Sequence, residues 1–209
     1  NAFANHLGRA ELNLTSAQAP SDNLHTMVML HGRMFQRELD ANGDGFMDMP
    51  LFGNLNGIAR LLWQDDNREL QVVVRPTWGN YRSGTMGAWS NGINAYRIET
   101  TTERLDSYLK VAFNELDHPL AHRIGVQVAF SSQRLSTQAG LRTIATREHY
   151  LFAKAIAATT LGEHVSLLWG VSLLYDAPYE RLDATTRERT ERVPGVFGEV
   201  TWSPDPSLS

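Results

Sequence analysis

Residues 40–48 read Asp40-Ala-Asn42-Gly-Asp44-Gly-Phe46-Met-Asp48, with oxygen-bearing side chains at the first, third, fifth and ninth places and glycine at the sixth. This is the opening of an EF-hand-type calcium loop. Alternate residues of a tight turn converge on one point, and the hard Ca²⁺ ion takes about six to eight oxygens. Phe46, at the seventh place, could add its backbone carbonyl. The twelfth place holds Leu51 rather than a bidentate Glu, and Pro50 argues against a following helix, so an EF-hand is rejected. Two readings stay open. Asp40, Asn42, Asp44, Asp48 and the Phe46 carbonyl hold a single structural Ca²⁺, or the segment is an Asx-rich turn whose carboxylates cap its own N–H groups.

Other chemistry is sparse. The absence of cysteine removes thiolate metal sites, Cys nucleophiles and disulfides. The histidines, at positions 6, 25, 31, 118, 122, 149 and 164, form no H-E-x-x-H pattern, and His118 and His122 belong to a solvated turn. No nucleophile elbow, P-loop or dinucleotide fingerprint occurs. The pairs Asp65/Asp66 and Glu188/Glu191 lie in turns, where solvated charge is the default. Arg187, Arg189 and Arg192 alternate with acids and make a poor anion site. No constellation supports an enzyme. A formal charge of −4 over 209 residues gives no footprint for nucleic acid.

The elements that must carry these residues are strands. Ile124, Val126, Val128 and Phe130 alternate with polar or small residues. Leu70, Val72, Val74, Pro76 and Trp78 do the same. So do Val165, Leu167, Trp169, Val171, Leu173 and Tyr175, then Val196, Val200 and Trp202. Arg104–Leu116 and the Ala-rich Tyr150–Leu161 also fit a helical period. Their neighbours favour strands, by consistency with one fold. Mean hydropathy is −0.31, and no apolar run reaches the length of about 18 residues that a transmembrane helix needs. Soluble all-β proteins and transmembrane β-barrels remain, because barrel strands average out as polar.

Connection lengths separate these two. From the strand near residues 24–38 onward, longer polar connections (39–50, 79–92, 131–140, 177–191) alternate with short ones near 65–68, 117–120 and 161–163. Long loops on one side and short turns on the other are the layout of an outer-membrane barrel. Several segments exceed the roughly five to six residues of ordinary strands. Trp63 and Trp202 lie beside short turns and Trp78 near the start of a long loop, the two levels where aromatic girdles form. Trp169 falls mid-strand and Trp89 in a loop. Arg75, Asp106, Lys110, Asn114 and Glu199 then belong to the inward, polar half of the strands.

The segment Asp40–Pro50 resembles part of the barrel of TonB-dependent outer-membrane receptors, particularly the cobalamin-receptor-like ones of Bacteroidetes-type bacteria. Lys110–Phe113, Ile124–Val128 and Gly170–Asp176 resemble successive strands of that barrel, and Arg189–Pro204 matches it best. The resemblance implies an antiparallel up-and-down meander within a transmembrane barrel of about 22 strands. It also implies a plug domain, and uptake of a scarce ligand (cobalamin, a ferric siderophore or similar) with energy passed from TonB. The implied partners are outer-membrane lipid, the plug, the TonB complex and a small-molecule or metal-chelate ligand; the implied location is the outer membrane of a Gram-negative bacterium. Residues 1–209 show about eight or nine strands and neither plug nor TonB-contacting box, so the expectation is a partial barrel domain from a longer protein. The alternative is a soluble β-sandwich carbohydrate-binding module with a structural calcium, which requires two packed layers of sheet.

Overall fold

The computed structural model describes residues 1–89, 95–118, 120–162 and 164–203. Among them no helix forms. Eleven strands make one sheet: β1 (Ala2–Ala4), β2 (Arg9–Ser21), β3 (Leu24–Phe35), β4 (Leu51–Gln64), β5 (Arg68–Gly84), β6 (Arg97–Phe113), β7 (Arg123–Ala139), β8 (Arg142–Leu161), β9 (Val165–Leu182), β10 (Thr185–Glu188) and β11 (Glu191–Trp202). Each pairs antiparallel with its sequence neighbour, except that β10 and β11 both pair with β9, one above the other. Nine of the eleven are 12 residues or longer, in line with the long strands expected. The sheet is open, since β1 and β11 do not pair.

The sheet is one layer thick. Among the described residues, the only elements in contact are hydrogen-bonded neighbours. The buried apolar set is correspondingly small: Phe35, Leu51, Ala88, Ala121 and Ala157. Accessible surface is 14073 Å², whereas a compact monomer of this mass would expose about 9,700 Å². A β-sandwich would bury one face of each sheet against the other, so the two-layer alternative does not describe this chain.

Both helix-ambiguous stretches are strands, and register shows why. Leu105, Leu109, Val111 and Phe113 lie on the face of β6 that carries Val72, Val128 and Ile124 on its neighbours. Ala153, Ala155 and Ala157 sit between Val128, Val126 and Ile124 on one side and Leu173, Val171 and Trp169 on the other. Apolar partners on both flanks override the helix propensity of alanine.

Two expected long connections are instead strand. Residues 131–139 extend β7 to a two-residue turn at Gly140-Leu141, where Gly140 takes φ +59° and Leu141 is fully exposed. Residues 177–191 likewise form the end of β9, a tight turn and β10. The segregation of ends survives in another form. Hairpins reach far at the end bearing residues 36–50, 85–89, 95–96, 140–141 and 183–190, and stop short at the other. The first two strands, β1 and β2, were not legible in the sequence.

The strands are staggered. Register runs from Leu24 through Trp63, Leu70, Val111, Val126, Ala155 and Val171 to Val196. Leu24 starts β3, but Val196 lies six residues short of the β11 end at Trp202. Spread over the intervening strand spacings of about 4.8 Å, with a rise of about 3.3 Å per residue, this slants the short-turn rim by roughly 30°. Such a stagger is the shear a sheet needs in order to close, and it approaches the strand tilt of about 35–45° found in barrels.

Candidate functional site

The functional feature is the pair of faces rather than a pocket. One face is apolar on every long strand from β3 onward. Val28 and Leu30, Leu55 and Leu61, Leu70 through Trp78, Leu105 through Phe113, Ile124 through Phe130, Leu151 through Ala157, Val165 through Tyr175, and Val196 through Trp202 follow one another in register. Many of these side chains are open to the surroundings, Val196 at 85% and Trp202 at 69%. On β5 the apolar positions run from Leu70 to Trp78. At about 3.3 Å per residue and a tilt of roughly 30°, they form a belt about 25 Å tall, the height of the apolar band on outer-membrane barrels. Trp63 and Trp202 lie at its short-turn edge, Trp78 and Tyr175 at the opposite edge, and Trp169 within it.

The other face is polar, and its groups bond across neighbouring strands. Arg75 of β5 donates to Asp106 of β6 at 2.9 Å, and Arg104 reaches the same carboxylate and, at 3.2 Å, the amide oxygen of Gln133 on β7. Lys110 bonds Glu69 at 2.8 Å. Arg33 donates to Asn54, whose amide donates to the Tyr81 hydroxyl at 2.9 Å. Arg75, Asp106, Lys110 and Glu199 thus lie on the polar face as expected, whereas Asn114 falls just beyond β6. Towards the long hairpins this face carries Phe35, Phe52 and Tyr81, with ring centroids 6.0 and 6.2 Å apart and the Arg33 guanidinium over Phe52.

The Asp40–Asp48 loop joins β3 to β4 at that same end. Asp40 accepts from the Gly43 and Gly45 N–H groups, Asn42 from Asp44, Asp44 from Phe46 and Asp48 from Ala41, all within 3.1 Å. This is Asx-turn chemistry. Among the described residues no group of three or more His, Asp or Glu is placed to share a metal ion. For Ca²⁺ to bind, the Asp40, Asp44 and Asp48 carboxylates would have to converge. The loop is also tied to its neighbour. Phe46 bridges Thr85, Met86 N–H donates to the Gly45 carbonyl at 2.8 Å, and Gly87 N–H donates to Glu38 at 2.6 Å. Ala88, the next residue, is completely buried, and its N–H donates to the Thr85 carbonyl. Trp89 donates to the Ser83 carbonyl and lies beneath the Arg82 and Arg97 guanidinium groups. Sequence spacing alone did not show this clasp between two loops.

Two histidines at the short-turn end have hydrogen-bond partners. His122 meets the Thr160 hydroxyl at 3.1 Å, and His118 accepts from Leu120 N–H. In the β4–β5 turn, the Arg68 guanidinium holds the Asp65 carboxyl below the usual carboxylate range, helped by the Asn67 and Arg68 N–H groups.

An open, staggered antiparallel meander with one apolar and one polar face is the fold of a barrel wall. The ferric yersiniabactin uptake receptor FyuA from Yersinia pestis has a similar fold, with a TM-score of 0.53 at 12% identity over 92% of this chain. The chain spans about a third (34%) of that receptor's length. No protein-family model and no curated protein matches the sequence.

Proposed function

We propose that this chain is part of the barrel of a TonB-dependent uptake receptor in the outer membrane of a Gram-negative bacterium. The observation that carries the reading is the belt, about 25 Å tall, on one face of a single-layered, staggered sheet. In this arrangement the belt meets lipid. The Arg75–Asp106–Arg104 network lines a water-filled interior around a plug domain, and the long hairpins face outside and contribute to ligand capture. The ligand is a scarce small molecule or metal chelate. Sequence resemblance favours cobalamin, and likeness to the ferric yersiniabactin uptake receptor adds ferric chelates. The test is uptake of labelled cobalamin and of ⁵⁵Fe-siderophores by cells with and without the full-length gene, in TonB-positive and TonB-negative backgrounds. Accumulation of one ligand only when both genes are present supports the proposal; recovery of the full-length protein as a folded aqueous species contradicts it.

The Asp40–Asp48 spacing supports a second, narrower role: ordering of the β3–β4 loop by Ca²⁺. Each carboxylate oxygen that accepts one N–H still has a lone pair for a cation. Calorimetric titration of the complete receptor with Ca²⁺, against the Asp44→Ala variant, decides it. Equal heats for the two proteins would remove calcium from the loop.

A further inference from the structure

The arginines of the sheet fall into those the chain supplies with a partner and those it does not, and each face carries both: Arg68 and Arg82 on the belt side are bonded, whereas Arg60 and Arg123 on the polar side have no such partner among the described residues. On the polar face, Arg33, Arg75 and Arg104 are each bonded to a carboxylate or amide oxygen. On the belt side, Arg134 of β7 stands directly opposite Arg147 of β8, four residues beyond the apolar pair Phe130–Leu151. Both side chains are exposed, and neither has a hydrogen bond or ion pair among the described residues. Arg181 of β9, diagonal to Arg147, is exposed and unpaired as well. Arg192 of β11 lies over the Tyr175 ring at 5.9 Å, on the belt's upper edge. The acids on this face, Glu99 opposite Gln138, Glu103 opposite Arg134 and Glu188 opposite Tyr179, form no ion pair with these arginines.

Like charges placed directly opposite on a sheet are unfavourable; Glu103 stands on the other flank of Arg134, but neither arginine of the pair is ion-paired among the described residues. A planar guanidinium presents several N–H donors in a fork that matches phosphate oxygens two at a time. Above the belt, a side chain of this length bends its charged head into the layer where lipid headgroups lie. We infer that Arg134 and Arg147, flanked by Arg181 and Arg192, form a docking site for the phosphorylated headgroup of a lipid in the leaflet at the long-hairpin end. This rests on the proposed barrel reading, because only then does the face meet lipid.

The experiment uses the full-length receptor in dodecyl maltoside micelles, with native mass spectrometry counting retained dioleoylphosphatidic acid or, as the uncharged-net control, dioleoylphosphatidylcholine. The expected result is preferential retention of phosphatidic acid. In Arg134→Gln/Arg147→Gln it weakens by about tenfold or more, since charge-assisted hydrogen bonds are lost. Arg134→Lys/Arg147→Lys recovers part of the loss, and Arg60→Gln on the polar face changes nothing. Equal retention of the two lipids, an unaltered double Gln variant, or displacement of the lipid by an equal concentration of inorganic phosphate would overturn the inference. Each of these leaves the barrel reading standing. A receptor that stays folded in water without detergent would sink the barrel reading itself.

Discussion

Asp106 of β6 and Arg75 of β5 meet across the polar face, Nη2 to Oδ2 at 2.9 Å, and Arg104 closes on the same carboxylate from two residues away. One anion therefore holds two cations, and the Asp106 side chain is 19% exposed while both guanidiniums lie far more open to solvent. Asp106→Ala leaves adjacent positive charges without a partner. The expected loss is about 1–2 kcal/mol, solvent screening holding it below the cost of a buried pair. Arg75→Gln costs less, because Arg104 still pairs. Thermal unfolding of the full-length protein in detergent, read by loss of strand circular dichroism, checks the order.

Adjacent residues of β7 face opposite ways, so equal substitutions should have unequal effects. Val128 lies in the middle of the belt, between Leu109 and Ala153, and Gln127 lies on the polar face between Lys110 and Lys154. Val128→Arg should cost about 2–4 kcal/mol of stability in a bilayer, as a cation near the midplane does. Gln127→Arg should cost much less, through repulsion from the two lysines alone. Urea-dependent folding into lipid vesicles measures both.

The pairing of β9 with β11 depends on a missing side chain. A Cβ on Gly170 would lie 2.3 Å from the Ala155 carbonyl oxygen and 2.6 Å from the ring of Phe197, its cross-strand partner. Gly170→Val is expected to destabilise by about 1–3 kcal/mol, the range for overpacking. Adding Phe197→Ala should recover only part, since the carbonyl belongs to the backbone and cannot swing away. Folding yields of the two variants in detergent make the comparison.

Asp65 offers a local pH test in the β4–β5 turn. Its folded pKa is lowered, so the bonds it accepts contribute above its unfolded pKa and are lost as pH falls through the folded value. Protection of the Asn67 and Arg68 amides, taken as the intrinsic exchange rate at each pH over the observed one, should be high at neutral pH and fall as pH drops through the lowered folded pKa. In Asp65→Asn, which loses the Arg68 ion pair, these amides should be less protected at neutral pH, and their protection should show a weaker acid dependence.

The period-two pattern was legible wherever a strand crosses the belt, because there one side must be apolar. This is why Ile124–Phe130 and Leu70–Trp78 were plain, and why consistency resolved Arg104–Phe113 and the alanines of β8. Beyond the belt both faces are wet and the alternation disappears. Residues 131–139 and 177–182 therefore read as loop although their backbones stay paired. β2 hid for a related reason: Leu12 and Leu14 are its only large apolar residues. The Asp40–Asp48 loop was visible as a turn in its residue types. Its clasp onto Thr85–Gly87 was not, since Glu38 and Gly87 meet only through the register of β3, β4 and β5. The Arg134–Arg147 pair was invisible on the same grounds, being set by the pairing of β7 with β8.

The two-faced wall is tested most directly by spin labels scanned along residues 124–130 of the full-length receptor in lipid vesicles, one cysteine at a time in a background freed of any other. The barrel wall predicts a period of two. Labels at Ile124, Val126, Val128 and Phe130 should relax with dissolved oxygen and be shielded from a water-soluble nickel chelate; labels at Gly125, Gln127 and Ala129 should show the reverse. Uniform access of the nickel chelate to all seven positions, with no alternation, would contradict a membrane-facing belt and the receptor reading built on it.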